Sequence, residues 1–245
     1  MRHFLEVTVP DDKEFYIVGD IHGNAKLWDR TKHEFGITSD DYVFSLGDLI
    51  DRGEQNAKLL FEFLLADNRF MISGNHETMC VDSANHRDWY MCWVQNGGQK
   101  FIDEVGETGV QFFRQYLNNL PMIIQINHRG NKIGLVHAGV PLKYTDWDAF
   151  VSGTSVMSSD IIEECIWDRA TFDYCRANNV YGVPKMAGID YILSGHTAVN
   201  DPLIYGNRVW MDSQFNTGDL TIATLQGGKM RYMRKEKDEY SFSRF

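Results

Sequence analysis

Five short apolar runs in this chain each end in a small cluster of residues that favour metals or phosphate, and this recurrence restricts the fold more than any composition figure. The five are Phe15 to Asn24 (FYIVGDIHGN), Tyr42 to Gly53 (YVFSLGDLIDRG), Phe70 to Glu77 (FMISGNHE), Ile133 to Gly139 (IGLVHAG) and Tyr191 to Thr197 (YILSGHT). Each run is too short, and too rich in β-branched and aromatic residues, for a buried helix, so it reads as a covered strand. The polar cluster then falls at the strand's carboxyl end, where open α/β sheets collect their ligands because successive loops converge there. Together the five ends bring Asp20, Asp48, Asp51, Asn75 and four His to one small volume. Without cations the carboxylates would repel one another and the imidazoles would compete for few partners. A pair of divalent metal ions removes the conflict.

Clusters spread from Asp20 to His196 can meet only within one folded unit, so residues 1–245 are expected to form a single domain. Segments with helical pattern, Ala25 to Phe35 and Glu54 to Leu65, separate the first three runs. Strand, loop, helix, strand is thus written twice before residue 77, which predicts right-handed crossovers and a largely parallel half-sheet. From Pro121 onward strands dominate, at Met122 to Asn127, Lys132 to His137, Tyr191 to Thr197, Leu203 to Met211 and Leu220 to Leu225, with hairpin turns at 205–208 and 226–229. A mixed or antiparallel second half follows. Thr78 to Asn119 reads as a helical excursion broken at Gly97-Gly98; its Trp89 and Trp93 either fill core or wall the site. Asp160 to Trp167 reads as a short helix after the Ser158-Ser159 cap region, and the tail from Arg231 as a solvated end.

The balance of 34 acidic against 24 basic residues, net −10, opposes loose binding to nucleic acid or to an anionic membrane. No apolar stretch approaches the roughly 18 to 20 residues of a membrane span, and the first residues lack a signal-peptide core, so a cytosolic protein is expected. Cys80, Cys92, Cys165 and Cys175 show no C-x-x-C spacing and read as reduced thiols.

Asp20 and His22 stand two apart on an extended segment, so both side chains can face one side as a half-site. The two oxygens of Asp48 suit it to bridge cations about 3.5 to 4 Å apart. Arg52 offers a planar fork of donors for phosphate oxygens. Asn75 is a neutral oxygen ligand that leaves the metals more Lewis acidic than another carboxylate would. Its neighbour His76, oriented by a carboxylate such as Asp51, can donate a proton to a leaving oxygen. His137 and His196 are placed to complete a second metal. The other four histidines, His3, His33, His86 and His128, lack such a setting.

These motifs, in this order and spacing, resemble the phosphoprotein phosphatase family of metallophosphoesterases. Trp93 with Asn96-Gly97-Gly98, and Trp167-Asp168-Arg169, bring the chain closest to the bacteriophage-lambda-type branch of phage and bacterial serine/threonine protein phosphatases. The resemblance spans about residues 14 to 225. It implies an α/β fold with a central β-sandwich of two mixed sheets flanked by helices, the calcineurin-like metallophosphoesterase fold. It implies Asp20, His22 and Asp48 on one metal, Asp48, Asn75, His137 and His196 on the other, His76 as general acid paired with Asp51, and Arg52 and Arg169 on the phosphate. Implied cofactors are two divalent ions, manganese first, with iron or zinc as alternatives. The implied reaction is in-line attack of a metal-bridging hydroxide on phosphoserine or phosphothreonine proteins, with phosphotyrosine as a further substrate. Ala138 stands where many members have a second glycine, and the eukaryotic enzymes' long C-terminal segment has no counterpart here, so the resemblance gives no evidence for a regulatory subunit. Two rival readings remain at this stage: a dinucleoside polyphosphate hydrolase, and a metal-binding scaffold without catalysis.

Overall fold

A computed structural model describes residues 3–154, 159–178, 183–234 and 237–240. Its strands, in chain order, are β1 (Phe4–Thr8), β2 (Phe15–Val18), β3 (Tyr42–Ser45), β4 (Arg69–Met71), β5 (Ile123–His128), β6 (Asn131–Val136), β7 (Tyr191–Ser194), β8 (Leu203–Tyr205), β9 (Arg208–Trp210), β10 (Ile222–Gln226), β11 (Lys229–Arg234) and β12 (Lys237–Tyr240). They form two six-stranded sheets, ordered β1-β5-β6-β7-β9-β8 and β12-β11-β10-β2-β3-β4. Both sheets are mixed. Within the second, β2, β3 and β4 run parallel; within the first, β6, β7 and β9 do. Each sheet therefore sends three strands, carboxyl ends foremost, toward its own rim.

The sheets stack through one apolar layer that takes residues from both. Phe15, Ile17, Phe44 and Leu225 from one sheet meet Ile124, Ile133, Leu135, Leu193 and Val209 from the other. Alternation explains the split: in β2, Phe15 and Ile17 point into this layer, while Val18 belongs to the outer face. That outer face is covered by α1 (Ala25–Phe35), α2 (Asn56–Leu65), α3 (Asn75–Asp82), α4 (Arg87–Trp93) and α5 (Gln99–Leu117). The other sheet is covered by α6 (Trp147–Thr154) and α7 (Ser159–Trp167), through Trp147, Phe150, Cys165 and Ile166. Two further helices, α8 (Ala170–Asn178) and α9 (Gln214–Thr217), follow in the chain. The expected α/β sandwich flanked by helices is what the chain forms.

Local chemistry sets the helix ends nearest the loops. Asn24 caps α1 by accepting the Leu27 N–H at 3.1 Å, and Gly36 closes that helix with a left-handed φ of 66°. The N-terminus of α2 is capped by Glu104 of α5, whose carboxylate accepts the Asn56 and Ala57 N–H groups at 2.7 and 3.0 Å.

Two points of the sequence reading need correction. Arg231 does not begin a solvated tail: β11 runs through it, pairs with β10, and buries Met230 and Tyr232 in the inter-sheet layer. Charge alternation was the visible pattern there, but it was the polar half of a period-2 strand. The edge strand β1 was not anticipated either, because its faces are only partly covered and its apolar pattern is short. Leu203 to Met211 forms two short antiparallel strands around the turn expected at 205–208. The Ser158 cap lies outside the described residues. The four cysteines are free thiols, and no helix among the described residues is long and apolar enough to cross a membrane.

Phe44 sits fully buried between the sheets, its ring 5.0 Å from Phe70 and 6.2 Å from Phe15. Phe44→Ala is expected to lower unfolding free energy by about 3–5 kcal/mol in urea titration; a loss below about 1 kcal/mol would contradict an inter-sheet core built on it.

Candidate functional site

The carboxyl ends of β2, β3, β4, β6, β7 and β9 lead directly into Asp20 and His22, Asp48 to Arg52, Asn75 and His76, His137, His196, and Asp212. The first two loops are stitched together by main-chain bonds: the Asp48 carbonyl accepts the Ile21 and His22 N–H groups at 3.1 and 3.0 Å. In the other sheet the Gly195 N–H, after β7, donates to the His137 carbonyl, after the neighbouring β6, at 2.9 Å. This stitching forces unusual backbone. Among the described residues six non-glycine positions have positive φ, and five of them are His22, Asp48, Asp51, Arg52 and His196. Each such residue costs of order 1–3 kcal/mol of strain and persists only when its surroundings over-determine it.

Asp48 is the centre. Its Oδ2 lies 3.8 Å from His22 Nε2 and 3.9 Å from His76 Nε2, and its Oδ1 lies 3.5 Å from His137 Nε2. Asp48 Oδ1 also accepts the His76 N–H at 3.0 Å. A Cβ on Gly74 would stand 2.1 Å from that same oxygen, so only glycine admits the carboxylate here. Asn75 Oδ1 lies 3.0 Å from His137 Nε2 and 2.9 Å from His196 Nδ1. Asp20 accepts the His196 N–H at 3.1 Å and packs against Gly195.

Histidine orientation is set from behind. The Nδ1–H of His22 donates to the Ile50 carbonyl at 3.0 Å and that of His137 to the Leu46 carbonyl at 2.6 Å, which leaves both Nε2 atoms facing Asp48. His76 donates its Nδ1–H to Asp51 Oδ2 at 2.7 Å. The Arg52 guanidinium caps two rings, donating to Nε2 of His22 at 2.8 Å and of His76 at 3.0 Å. Arg169, exposed at the start of α8, donates to the His196 carbonyl at 3.4 Å. A cleft of 610 Å³ opens from His22 and Arg52 past Lys26 and Gln55 to the exposed ring of Phe215.

The electrostatics follow from burial against charge. Burial alone would raise Asp48, but the surrounding histidines, His137 foremost, hold its carboxyl well below the usual carboxylate range. Burial likewise disfavours a charged His137, yet Asp48, with help from Asp20, pushes it up to about 10. His22 and His196 are driven down to about 3, chiefly by burial. Burial opposes a charged His76 too, but Asp48 and Asp51 raise it. Burial and the charges of Asp212 and Asp48 raise Asp20.

These donors fit divalent cations. Two groups have ligand atoms within 4.8 Å of one another: His22, Asp48 and His76, and Asp48, His137 and His196. They share Asp48, one group on each side of its carboxylate, as a bridged pair requires. A positive charge is demanded at His137 Nε2, and a metal ion meets that demand as a proton does. The Nε2 of His196 is buried without a hydrogen-bond partner among the described residues, a second open position. Every sequence-predicted site residue thus comes to one locality, Arg52 and Arg169 at its rim. Asp20 stands beside the compact groups, not inside either, and His76, expected as an acid, falls within ligand reach of the first.

Two residues were missed. Asp212, nine-tenths and more buried, follows β9 as the other clusters follow their strands; burial and the Asp48 charge push it up to about 6. The run Arg208-Val209-Trp210-Met211 ending in Asp was its signal, unread because no Gly or His accompanied it. Glu77 is fully buried and accepts the Asp48 and Gly74 N–H groups through Oε2, at 2.8 and 2.9 Å, and the Leu49 and Ile50 N–H groups through Oε1, at 2.9 and 3.4 Å. It ties the β3 and β4 loops together.

Residues 13–200 match the calcineurin-like phosphoesterase family. The chain is 28% identical over 221 residues to serine/threonine-protein phosphatase 2 of Salmonella typhimurium, covering 87% of this chain and 94% of that protein. It is 27% identical over 132 residues to a symmetrical bis(5'-nucleosyl)-tetraphosphatase of Acidovorax ebreus, covering 53% of this chain and 45% of that protein. A solved serine/threonine phosphatase from Saccharomyces cerevisiae superposes with a TM-score of 0.66 at 18% identity, covering 98% of this chain and 84% of that one.

Glu77→Gln replaces one acceptor by an amide N–H that must face a backbone N–H. Urea denaturation of the metal-free protein is expected to register a loss of about 1–3 kcal/mol; an unchanged midpoint would show that the four bonds are not holding the loops.

Proposed function

The chain belongs to the calcineurin-like phosphoesterase family, and from that premise we propose that it is a metal-dependent phosphomonoesterase that dephosphorylates phosphoserine and phosphothreonine in proteins. The whole chain acts as one such domain, in the cytoplasm. The observation that carries the reading is His76. It is buried, held at Nδ1 by Asp51 at 2.7 Å, and turns Nε2 toward the Asp48 side of the site. An alkoxide is a poor leaving group and needs a proton as the P–O bond breaks; a fixed imidazole at the rim of the ligand cluster supplies it.

Asp20, His22 and Asp48 would hold one divalent cation, and Asp48, Asn75, His137 and His196 a second. Manganese, iron or zinc suit such mixed oxygen and nitrogen ligands. Bound there, the two ions supply Lewis acidity and bring a water's pKa from 15.7 toward neutrality. The remaining work belongs to the side chains. Arg52 carries its donors across both Nε2 atoms, so a phosphate seated between takes over those donors while His76 keeps its line to the leaving oxygen. Arg169 adds a second guanidinium from the opposite rim, and Asp51 keeps His76 from turning. The open cleft beside Arg52 accommodates the polypeptide that bears the phosphate.

A second reading, hydrolysis of dinucleoside polyphosphates, draws support from the Acidovorax relative. The phosphatase reading is favoured because its relative is matched over 94% of its length, against 45% for the nucleotide hydrolase. Parallel turnover of a phosphoserine peptide and diadenosine tetraphosphate, with manganese-loaded protein, is expected to favour the peptide; preference for the dinucleotide would reverse the assignment. His76→Asn is expected to slow alkyl phosphate monoesters about 10²-fold or more and aryl ones far less, and equal losses would remove His76 from the acid role. Asp48→Asn is expected to abolish turnover of every substrate and to weaken manganese binding in calorimetry; retained activity with excess metal would contradict a shared carboxylate.

A further inference from the structure

The Trp93 to Gly98 segment, adjoining the site but assigned no part in it, makes two direct contacts with the Asp51-Arg52 pair. Asp51 is fully buried, and its Oδ2 receives two donors: His76 Nδ1–H at 2.7 Å and Trp93 Nε1–H at 2.8 Å. Its other oxygen, Oδ1, is buried with no hydrogen-bond partner among the described residues. Rotation of the carboxylate is therefore opposed at one oxygen only, by the indole on one side and the imidazole on the other. An indole N–H can only donate, so the carboxylate cannot reverse its role toward Trp93. The second contact is through the backbone: the Arg52 N–H donates to the Gly97 carbonyl at 3.1 Å.

The turn is built to make both contacts at once. Val94–Gly98 prolongs α4 as a turn kinked at Gly97, whose backbone is non-helical. Trp93 and the Gly97 carbonyl thereby reach the same two-residue stretch, which has left-handed φ of 74° at Asp51 and 64° at Arg52. Both glycines are required by space. At Gly97, φ is 111° and a Cβ would lie 2.7 Å from Arg52 Cγ; at Gly98 a Cβ would lie 2.4 Å from the Trp93 ring. The ring itself is fully buried, beside Phe101 and under the Arg114 guanidinium at 5.7 Å. On the far side, Asn56 accepts the Asp51 N–H at 2.7 Å.

We propose that Trp93 is a positioning residue for proton delivery: its indole N–H locks the Asp51 carboxylate, and Asp51 in turn fixes the His76 imidazole toward the leaving oxygen. The inference rests on the phosphomonoesterase reading above, in which His76 is the acid. Aromatic filling alone would need the ring but not its N–H, and the N–H is what the test removes.

The test compares kcat of the manganese-loaded protein on a phosphoserine peptide and on p-nitrophenyl phosphate, for Trp93→Phe and for Trp93 replaced by 3-benzothienylalanine, an isostere with sulfur in place of the N–H. The alkyl substrate is expected to lose about tenfold and the aryl one less than about twofold, a fraction of what loss of the acid itself removes. In His76→Asn, adding the isostere at position 93 is expected to change neither rate further, since the indole acts through the imidazole. Equal losses on both substrates, or no loss with the isostere, would overturn the positioning role. If Trp93→Phe does not accumulate folded, the isostere, which keeps the ring's shape, decides alone. If His76→Asn shows no alkyl-to-aryl split, the acid reading itself has failed; if that split is present and the isostere's is absent, only the role of Trp93 has.

Discussion

The carboxylate of Asp48 is the interaction on which the site and much of its surroundings depend. It is 2% exposed, and two groups of imidazoles face its two oxygens. A charge so far from water is tolerated only when hydrogen bonds and opposite charge surround it. Here the His76 N–H reaches Oδ1, while Glu77 gathers the main chain of the Asp48 loop and of the Gly74 turn into one unit. Because Asp48 leaves β3 and its histidine partners leave β2, β4 and β6, satisfying this one group requires the two sheets to meet at a common rim.

That meeting has a conformational cost, which falls on the same residues. Five site residues adopt left-handed backbone without being glycine, and glycines are placed beside them where a Cβ would collide with a carboxylate or with Arg52. The strain is offset by packing elsewhere: the inter-sheet layer and the helical layers outside it are built from fully buried aliphatic and aromatic side chains. The strands thus present these donor side chains from short loops tied by main-chain hydrogen bonds. Such pre-set geometry lowers the reorganisation a charged transition state would otherwise demand.

The His76 side of the site follows a similar logic of nested support. His76 is oriented by Asp51, Asp51 by Trp93 and Asn56, and Asn56 by Glu104 of α5. The series runs outward, from buried Asp51 and Asn56 to the exposed Glu104 on the helical layer. For Trp93 the alternative left open by composition dissolves, since its ring packs in the core and its nitrogen reaches Asp51, whereas Trp89 stands exposed and does neither.

Much of this was legible in the chain itself. Short apolar runs ending in Gly, Asp, Asn and His announced strands with functional carboxyl ends, because strand periodicity and ligand chemistry are both local properties of a few consecutive residues. Asp20, His22, Asp48, Asn75, His137 and His196 could be singled out for that reason. What stayed hidden depends on neighbours distant in sequence. Asp212 carries no local mark beyond a short apolar run; Glu77 shows its purpose only once two loops are brought together; the Trp93 bond to Asp51 spans 42 positions. Strands β1 and β11 were missed because pairing with β5 and β10 supplies the stability that their own sequences only hint at. Residue type sets which groups can bind a cation, but only folding determines which of them share a carboxylate, since hydrogen bonds and burial are relations between segments and no segment contains them alone.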